Sequence, residues 1–537
     1  MNLKSAYSIV NQKHQKSSGA YGILIGIVFM MLVSYFVYSF SQGTPNYLLL
    51  IISAIFGAYM AMNIGANDVA NNVGPAVGAN AVSIFWAIII AAIFESAGAL
   101  IAGGDVVGTI KKGIIDPSLI QNTSVFIWIM MAALLAGALW LNLATAFGAP
   151  VSTTHSIVGG VTGAGIAAAG WSIVNWSKMG AIVASWVISP LMGGLIAAGF
   201  LIFIKKSIIF QEDKKLAAKT VVPILIAAMT WAFSTYILLK GFKHLIKLNF
   251  LTASIIGLVI SIVLYYLTKP SIMRAADRLP NTREAINRLF NIPLIFSAAL
   301  LSFAHGANDV ANAVGPLAAI NDAIMHSAFS PKAHIPLWVM VVGAIGISLG
   351  LALYGPKLIK KVGSEITELD QIRAFCVAMA ASITVIIASQ LGLPVSSTHI
   401  ALGGIFGVGF LREYLNRNEV EEIKEEIKKT HLEEQLEKLE EYKNELESLG
   451  KLKKVDPILI KNLMNKINEE KKIINKIDAG KVHMSKIEKK AVKVVKKHEL
   501  VKRSALKMIV AAWLITVPVA GVLAAMFYFM LRGIFLP

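Results

Sequence analysis

The residues of this chain that could do chemistry come in two matched sets. Gly65-Ala66-Asn67-Asp68-Val69-Ala70-Asn71, followed after one position by Val73-Gly74-Pro75, returns as Gly306-Ala307-Asn308-Asp309-Val310-Ala311-Asn312, followed by Val314-Gly315-Pro316. Pro150-Val151-Ser152-Thr153-Thr154-His155 returns as Pro394-Val395-Ser396-Ser397-Thr398-His399, and each copy precedes a Gly-Gly pair, Gly159-Gly160 and Gly403-Gly404. Residues four apart share a helix face, which aligns Asn67 with Asn71 and Asp68 with Asn72. Carboxylate and amide oxygens facing a cavity at an interrupted helix suit a hard cation, sodium or a proton in its place. The hydroxyls of the second motif stand at a helix start. There, O–H groups and free backbone N–H groups suit an oxyanion, assisted by the helix dipole. Two facing tips would surround a tetrahedral anion without any arginine, an arrangement that favours release as well as binding.

The elements that must position these groups are apolar. Hydrophobic residues make up 56% of the chain, charged residues 15%, and the mean hydropathy is +0.65, which together describe a polytopic membrane protein. An ionisable residue at bilayer depth costs about 3 kcal/mol on insertion scales. Asp68 and Asp309 therefore need something that offsets this twice over. Polar contacts that merely hold helices together are the plainer account, and the repetition of the whole motif favours a site. The net charge of +18 comes largely from loops between apolar runs, so it sets topology and touches anionic headgroups. No nucleic-acid partner is expected. The single cysteine, Cys376, excludes an internal disulfide and stands in an apolar run as a packing residue.

The order of the chain then predicts its organisation. Residues 1–46 form a cytosolic amino terminus and an extra first span at 22–40, too long for a signal peptide and without a convincing cleavage site. Residues 47–204 form a first transporter repeat, 205–289 connecting spans with basic inner loops, and 290–412 a second repeat. Gly65, Gly74 and Pro75 argue against one straight helix through 47–80. Residues 103–121 read as a glycine-rich link carrying Asp105, Lys111 and Lys112. The runs 123–147 and 156–170 flank a Pro-Val-Ser-Thr-Thr-His tip, the pattern of a re-entrant hairpin buried in protein. Asp309 follows Asp68 by 241 residues and Pro394 follows Pro150 by 244, so an entire unit is duplicated.

Lys205, Lys206, Lys214, Lys215 and Lys219 mark an inner loop, and Lys269, Arg274, Arg278, Arg283 and Arg288 mark the next one. The second motif thus runs outward where the first runs inward. The fold class expected is an all-α polytopic membrane protein: an inverted-topology repeat transporter with two re-entrant helical hairpins and a site near the midplane. Lys111 and Lys112 fall on the outer side against the charge rule and belong to the fold, with Lys360 and Lys361 in similar places. Residues 413–505 are rich in Glu and Lys. Leu432, Leu436, Leu439 and Leu446 precede a break around Gly450 and Pro457, and Leu463, Ile467 and Ile474 follow it, which predicts a cytosolic helical or coiled-coil insert. Residues 506–537 supply a final span. The chain is placed in the cell (inner) membrane, multi-pass, with the amino terminus and insert cytoplasmic.

His155 and His399 read as capping or orienting residues, since no ligand cluster accompanies them. A Ser-His-Asp hydrolase is disfavoured because both halves keep equivalent sets where an enzyme needs one nucleophile. The motifs together resemble the inorganic phosphate transporter (PiT) family over roughly 47–412 and the closing span. The resemblance implies uptake of inorganic phosphate coupled to sodium or protons, no other cofactor, and a homodimer in the bilayer. Carried over by motif, Asn67, Asp68, Asn71, Asn308, Asp309 and Asn312 serve cation coupling, with sodium at Asn67, Asn71, Asn308 and Asn312. Ser152, Thr153, Thr154, Ser396, Ser397 and Thr398, with Asp68 and Asp309, contact phosphate. Glu95 matches a family acidic position that has no acidic counterpart before Gly346; it supports the site with His155 and His399. The span at 22–40 and the insert depart from the family pattern. Sulfate permease is the alternative. An ionised carboxylate beside the anion favours phosphate, which carries a donor hydrogen at neutral pH, as Asp68 and Asp309 would require. A phosphate sensor signalling through the insert is a further one.

Overall fold

The computed structural model describes residues 3–120, 122–241, 248–326, 335–365, 369–450, 457–478, 485 and 503–535. The chain runs through α1 (Leu3–Ser41), α2 (Tyr47–Gly78), α3 (Ile84–Ala102), α4 (Gly104–Lys112), α5 (Thr123–Ala146), α6 (Thr153–Ala169) and α7 (Trp176–Ile204). It continues through α8 (Lys214–Lys240), α9 (Phe250–Asp277), α10 (Arg283–Leu289), α11 (Asn291–Asp309), α12 (Ala311–His326) and α13 (Leu337–Glu365). The last elements are α14 (Gln371–Gln390), α15 (Ser397–Gly450), α16 (Pro457–Asp478) and α17 (Arg503–Phe535). Among the described residues 11 helices are long and apolar enough to cross a membrane, as the hydropathy requires. Their starts are set locally: the side chains of Asn122, Asn175, Asp213, Asn249 and Asp370 each accept a backbone N–H of the first turn.

In lipid, apolar surface does not drive helices together, so close backbone approach must do so. Glycine permits it here. A Cβ on Gly65 of α2 would stand 1.9 Å from the Ile347 carbonyl oxygen of α13, and one on Gly306 of α11 would stand 2.1 Å from the Glu95 carbonyl oxygen of α3. The hairpin helices repeat the device: Gly163 of α6 meets Gly521 of α17, and Gly407 of α15 meets Gly194 of α7, each at 2.2 Å. Gly65 and Gly306 are counterparts in the repeated motif, as Gly163 and Gly407 are in the two hairpin helices, and each of these contacts joins segments far apart in the chain.

Two local expectations are corrected. Helix α2 is continuous through Gly65, Gly74 and Pro75. Gly65 is required by the neighbouring backbone and interrupts nothing, and Pro75 stands in the last turn, where it removes a single bond near the end. The interruption occurs in the second copy instead, at Val310, between α11 and α12. The supposed link at 103–121 carries α4 and a short 3-10 turn, Pro117–Leu119, and buries Val106, Val107, Ile110, Ile114 and Ile115. Lys111 is buried and pairs with Asp322 of α12 at 3.0 Å; Asp105 pairs with Lys240 of α8. The side chains of Lys112, Lys360 and Lys361 lie outside the described residues.

The chain divides into two compact units, residues 1–408 with 502–537, and residues 409–501. Within the second, Leu439 of α15 and Leu463, Ile467 and Ile477 of α16 are buried, and Lys466 lies 5.2 Å over the Tyr442 ring. Leu436 is exposed. The stretch between Gly450 and Pro457 lies outside the described residues.

Gly65→Ala and Gly306→Ala should each destabilise the protein by about 1–3 kcal/mol, since backbone cannot give way as a side chain does. Gly199→Ala, with open space at its Cβ, should leave the melting temperature in detergent unchanged. Equal melting of all three would contradict the role of these contacts.

Candidate functional site

Both predicted motifs converge on one buried place. Asp68, Asp309 and Thr398 have no exposed surface, and Asn67, Asn71, Asn308, Asn312, Ser152, Thr153, Ser396 and Ser397 are all buried. The asparagines divide by function. Asn67 Nδ2 donates to Thr145 Oγ1 (3.0 Å) and the Ala149 carbonyl (3.4 Å), and its Oδ1 accepts the Val151 N–H (3.3 Å). Asn308 does the same one repeat later, with Ser389 Oγ (2.9 Å), the Leu393 carbonyl (3.2 Å) and the Val395 N–H (3.4 Å). A primary amide presents donor and acceptor side by side, so each asparagine ties an extended hairpin tip whose backbone has no helix partner.

Asn71 and Asn312 reach instead to the hairpin of the other half. Asn71 Nδ2 donates to Thr398 Oγ1 at 2.8 Å, and Asn312 Nδ2 donates to Thr153 Oγ1 (3.3 Å) and Thr154 Oγ1 (3.2 Å). Their Oδ1 atoms, and Oδ1 of Asp309, are buried without a hydrogen-bond partner.

The hydroxyls take two roles. Thr153 Oγ1 donates to Asp68 Oδ2 (2.9 Å), Thr398 Oγ1 to Asp68 Oδ1 (3.1 Å) and Ser397 Oγ to Asp309 Oδ2 (2.8 Å). Ser152 and Ser396 are N-caps: each Oγ accepts the backbone N–H of the tip histidine, at 3.1 Å for His155 and 3.3 Å for His399. Thr154 Oγ1 donates to the Val395 carbonyl across the two tips (2.9 Å). Thus Thr153, Ser397 and Thr398 face the carboxylates, while Ser152 and Ser396 shape the helix starts. Glu95 is fully buried and accepts from Asn72 Nδ2 at 2.6 Å.

Sequence reasoning missed His305. Its Nε2 lies 2.8 Å from Asp309 Oδ2 and 3.5 Å from Asp68 Oδ2, and its Nδ1 lies 3.4 Å from Glu95 Oε2. The imidazole therefore sits among three carboxylates, all without exposed surface. Asp68, His305 and Asp309 offer three ligand atoms within 4.8 Å of one another. His305 precedes Asp309 by four residues and shares its helix face, which was a usable signal. The first copy has Ile64 at the equivalent position, so repetition did not mark it.

The chain matches the model of the phosphate transporter family over residues 64–524. A relative named as a predicted phosphate permease, from Helicobacter pylori strain J99, is 52% identical over 513 residues, covering 94% of each chain. A similarly named protein of Pyrococcus furiosus is 39% identical, covering 70% of this chain and 91% of its own. A solved structure described as the sodium-dependent phosphate transporter superposes with a TM-score of 0.71 at 30% identity, covering 91% of this chain and 100% of that one.

Thr153→Val and Ser397→Ala each remove a hydroxyl from a buried carboxylate oxygen. Each should destabilise the protein by about 1–3 kcal/mol, seen as a lower melting temperature. Thr162→Val, whose hydroxyl only bonds Val158 within its own helix, should melt like the wild type.

Proposed function

The chain belongs to the phosphate transporter family, and from that premise we propose that it imports inorganic phosphate across the cell membrane by alternating access, coupled to sodium. The observation that carries this reading is the bonding of Thr153, Ser397 and Thr398 to Asp68 and Asp309. The groups suited to the anion are engaged by the groups suited to the cation. A phosphate placed between two bare carboxylates would be repelled, strongly so in a water-poor interior. Sodium bound to the carboxylates removes that repulsion and frees the O–H groups to turn toward the anion. Neither ion is then well bound without the other, which is the requirement for coupling.

Three unpartnered buried oxygens, Asn71 Oδ1, Asn312 Oδ1 and Asp309 Oδ1, fit a hard cation, which takes oxygen ligands. In this reading Asn71 and Asn312, with Asp68 and Asp309, face sodium. Asn67 and Asn308 act by holding the tips. Phosphate lies between the two hairpin helix starts, met by Thr153, Thr154, Ser397 and Thr398 and the backbone N–H groups there. The carboxylates favour phosphate over sulfate, because HPO₄²⁻ has a proton to donate. The recurrence of contacts between the halves supports an inverted-repeat architecture at 47–204 and 290–412, with the site at the repeat interface. The amino terminus and the 413–505 insert are cytoplasmic in this arrangement.

Uptake of labelled phosphate into vesicles holding the purified protein should require a sodium gradient and resist competition by sulfate. Uptake indifferent to both sodium and proton gradients would sink the coupling. Asp68→Asn and Asp309→Asn should each lower uptake at least tenfold while the protein remains folded in the membrane. Excising about 420–500 with a short Gly/Ser link should preserve phosphate binding, since every ligand named lies elsewhere; loss of binding in an inserted variant would assign the insert to the transport core.

A further inference from the structure

The two hairpin tips meet through four rings. Trp186 of α7 packs on His155 with ring centroids 3.8 Å apart, His155 meets His399 edge-on at 4.5 Å, and His399 packs on Trp513 of α17 at 3.9 Å. All four imidazole nitrogens of the histidines are buried without a hydrogen-bond partner. The rings therefore bring the tips into contact without fixing their direction. Directional bonds come from Thr154 Oγ1 to the Val395 carbonyl, between the tips themselves, and from Trp186, whose Nε1 donates to the Pro394 carbonyl at 3.2 Å. Packed on the first hairpin and bonded to the second, Trp186 spans both tips.

Trp513 is the equivalent residue. It stands four positions before Val517, and Trp186 four before Pro190. The carbonyls of Val517 and Pro190 receive Gly159 and Gly403, the matching glycines of the two hairpin helices. By the same correspondence, its bond would run from Nε1 to the carbonyl of Pro150. That bond is absent: Trp513 Nε1 is buried without a hydrogen-bond partner. One of two equivalent indoles is thus satisfied and the other carries the cost of a desolvated, unpaired N–H. The carboxylates are uneven in the same way: Asp68 accepts from the hydroxyls of both hairpins, whereas Asp309 has one oxygen unpartnered.

We propose that Trp186 and Trp513 are alternate clamps on the hairpin tips, each bonding the tip opposite the histidine it packs on in one of two conformations that exchange during transport. The inference rests on the alternating-access reading above. In an inverted repeat, the conformation facing the other way is generated by exchanging the roles of the halves. The Trp186–Pro394 bond would break as the Trp513–Pro150 bond forms, so the number of satisfied indoles stays constant and neither conformation becomes a trap. Both tryptophans act as positioning residues, through the tips that carry Thr153, Ser397 and Thr398.

The test uses Trp→Phe, which keeps an aromatic ring on each histidine and removes the N–H. Reporters are Phe147→Cys and Leu391→Cys, equivalent positions beside the two tips, 76% and 69% exposed, each made with Cys376→Ser so that a single thiol remains. The ratio of maleimide reactivity at the two reporters should move in opposite directions in Trp186→Phe and Trp513→Phe, each by about fivefold, the population shift of one hydrogen bond. Movement in the same direction, or no movement in either, overturns the clamps. Should Trp186→Phe fail to fold, Trp513→Phe decides alone, an unchanged ratio overturning the proposal. Wild-type vesicles that take up no phosphate would overturn the transport reading and the clamps with it. Wild-type uptake with same-direction shifts would overturn the clamps alone.

Discussion

Asp68 and Asp309 have no exposed surface within a chain built to cross a bilayer, and most of the molecule follows from what that burial requires. A carboxylate in such a place needs hydrogen-bond donors or a compensating charge. Here the donors come from Thr153, Ser397 and Thr398 at helix starts, and His305 stands between the two carboxylates. None of these groups belongs to the helices α2 or α11 that carry the aspartates, His305 excepted. The hairpins must therefore be delivered to mid-protein and held there, which is the work of Asn67 and Asn308.

Delivery depends on how closely the helices approach. Gly65 and Gly306 let the aspartate helices lie against the backbone of α13 and α3, and Gly163 and Gly407 do the same for the hairpin helices. The contacts of Gly65, Gly306 and Gly407 join one half to the other, and the site too is shared between the halves. Asn71 bonds the second hairpin and Asn312 the first. Any relative movement of the halves must therefore rearrange these asparagine and hydroxyl contacts together, which in the function proposed is the physical basis for coupling.

The two halves are alike in composition and unlike in detail. The interruption at Val310 has no equivalent in α2, His305 stands opposite Ile64, and Glu95 has an apolar counterpart in Ile347, where Gly65 meets α13 as Gly306 meets Glu95. His305 and Glu95 lie 3.4 Å apart, so the departures from symmetry gather in one place. That concentration gives the site a single imidazole and a third carboxylate, and with them a polarity that a perfectly repeated pair of motifs would lack.

The linear sequence determined much by itself. Hydropathy required a polytopic helical protein, the twice-written Gly-Ala-Asn-Asp-Val-Ala-Asn and Pro-Val-Ser-(Ser/Thr)-Thr-His motifs named the residues that gather at the centre, and their near-constant displacement disclosed the duplication. These features are legible because they are local or repeated. What tertiary structure decided is which polar atom meets which. Asn67 and Asn71 are indistinguishable by type and spacing, yet one closes on the hairpin of its own half and the other bonds across to the opposite half. Ser152 and Thr153 are adjacent hydroxyls, yet one caps its helix while the other reaches Asp68. His305, marked by its four-residue spacing to Asp309 and by no repeat, and α4, concealed in a glycine-rich stretch, lay outside the repeated motifs. Such assignments depend on the approach of helices hundreds of residues apart in sequence, and that approach is set by backbone contacts at glycines, which periodicity does not record.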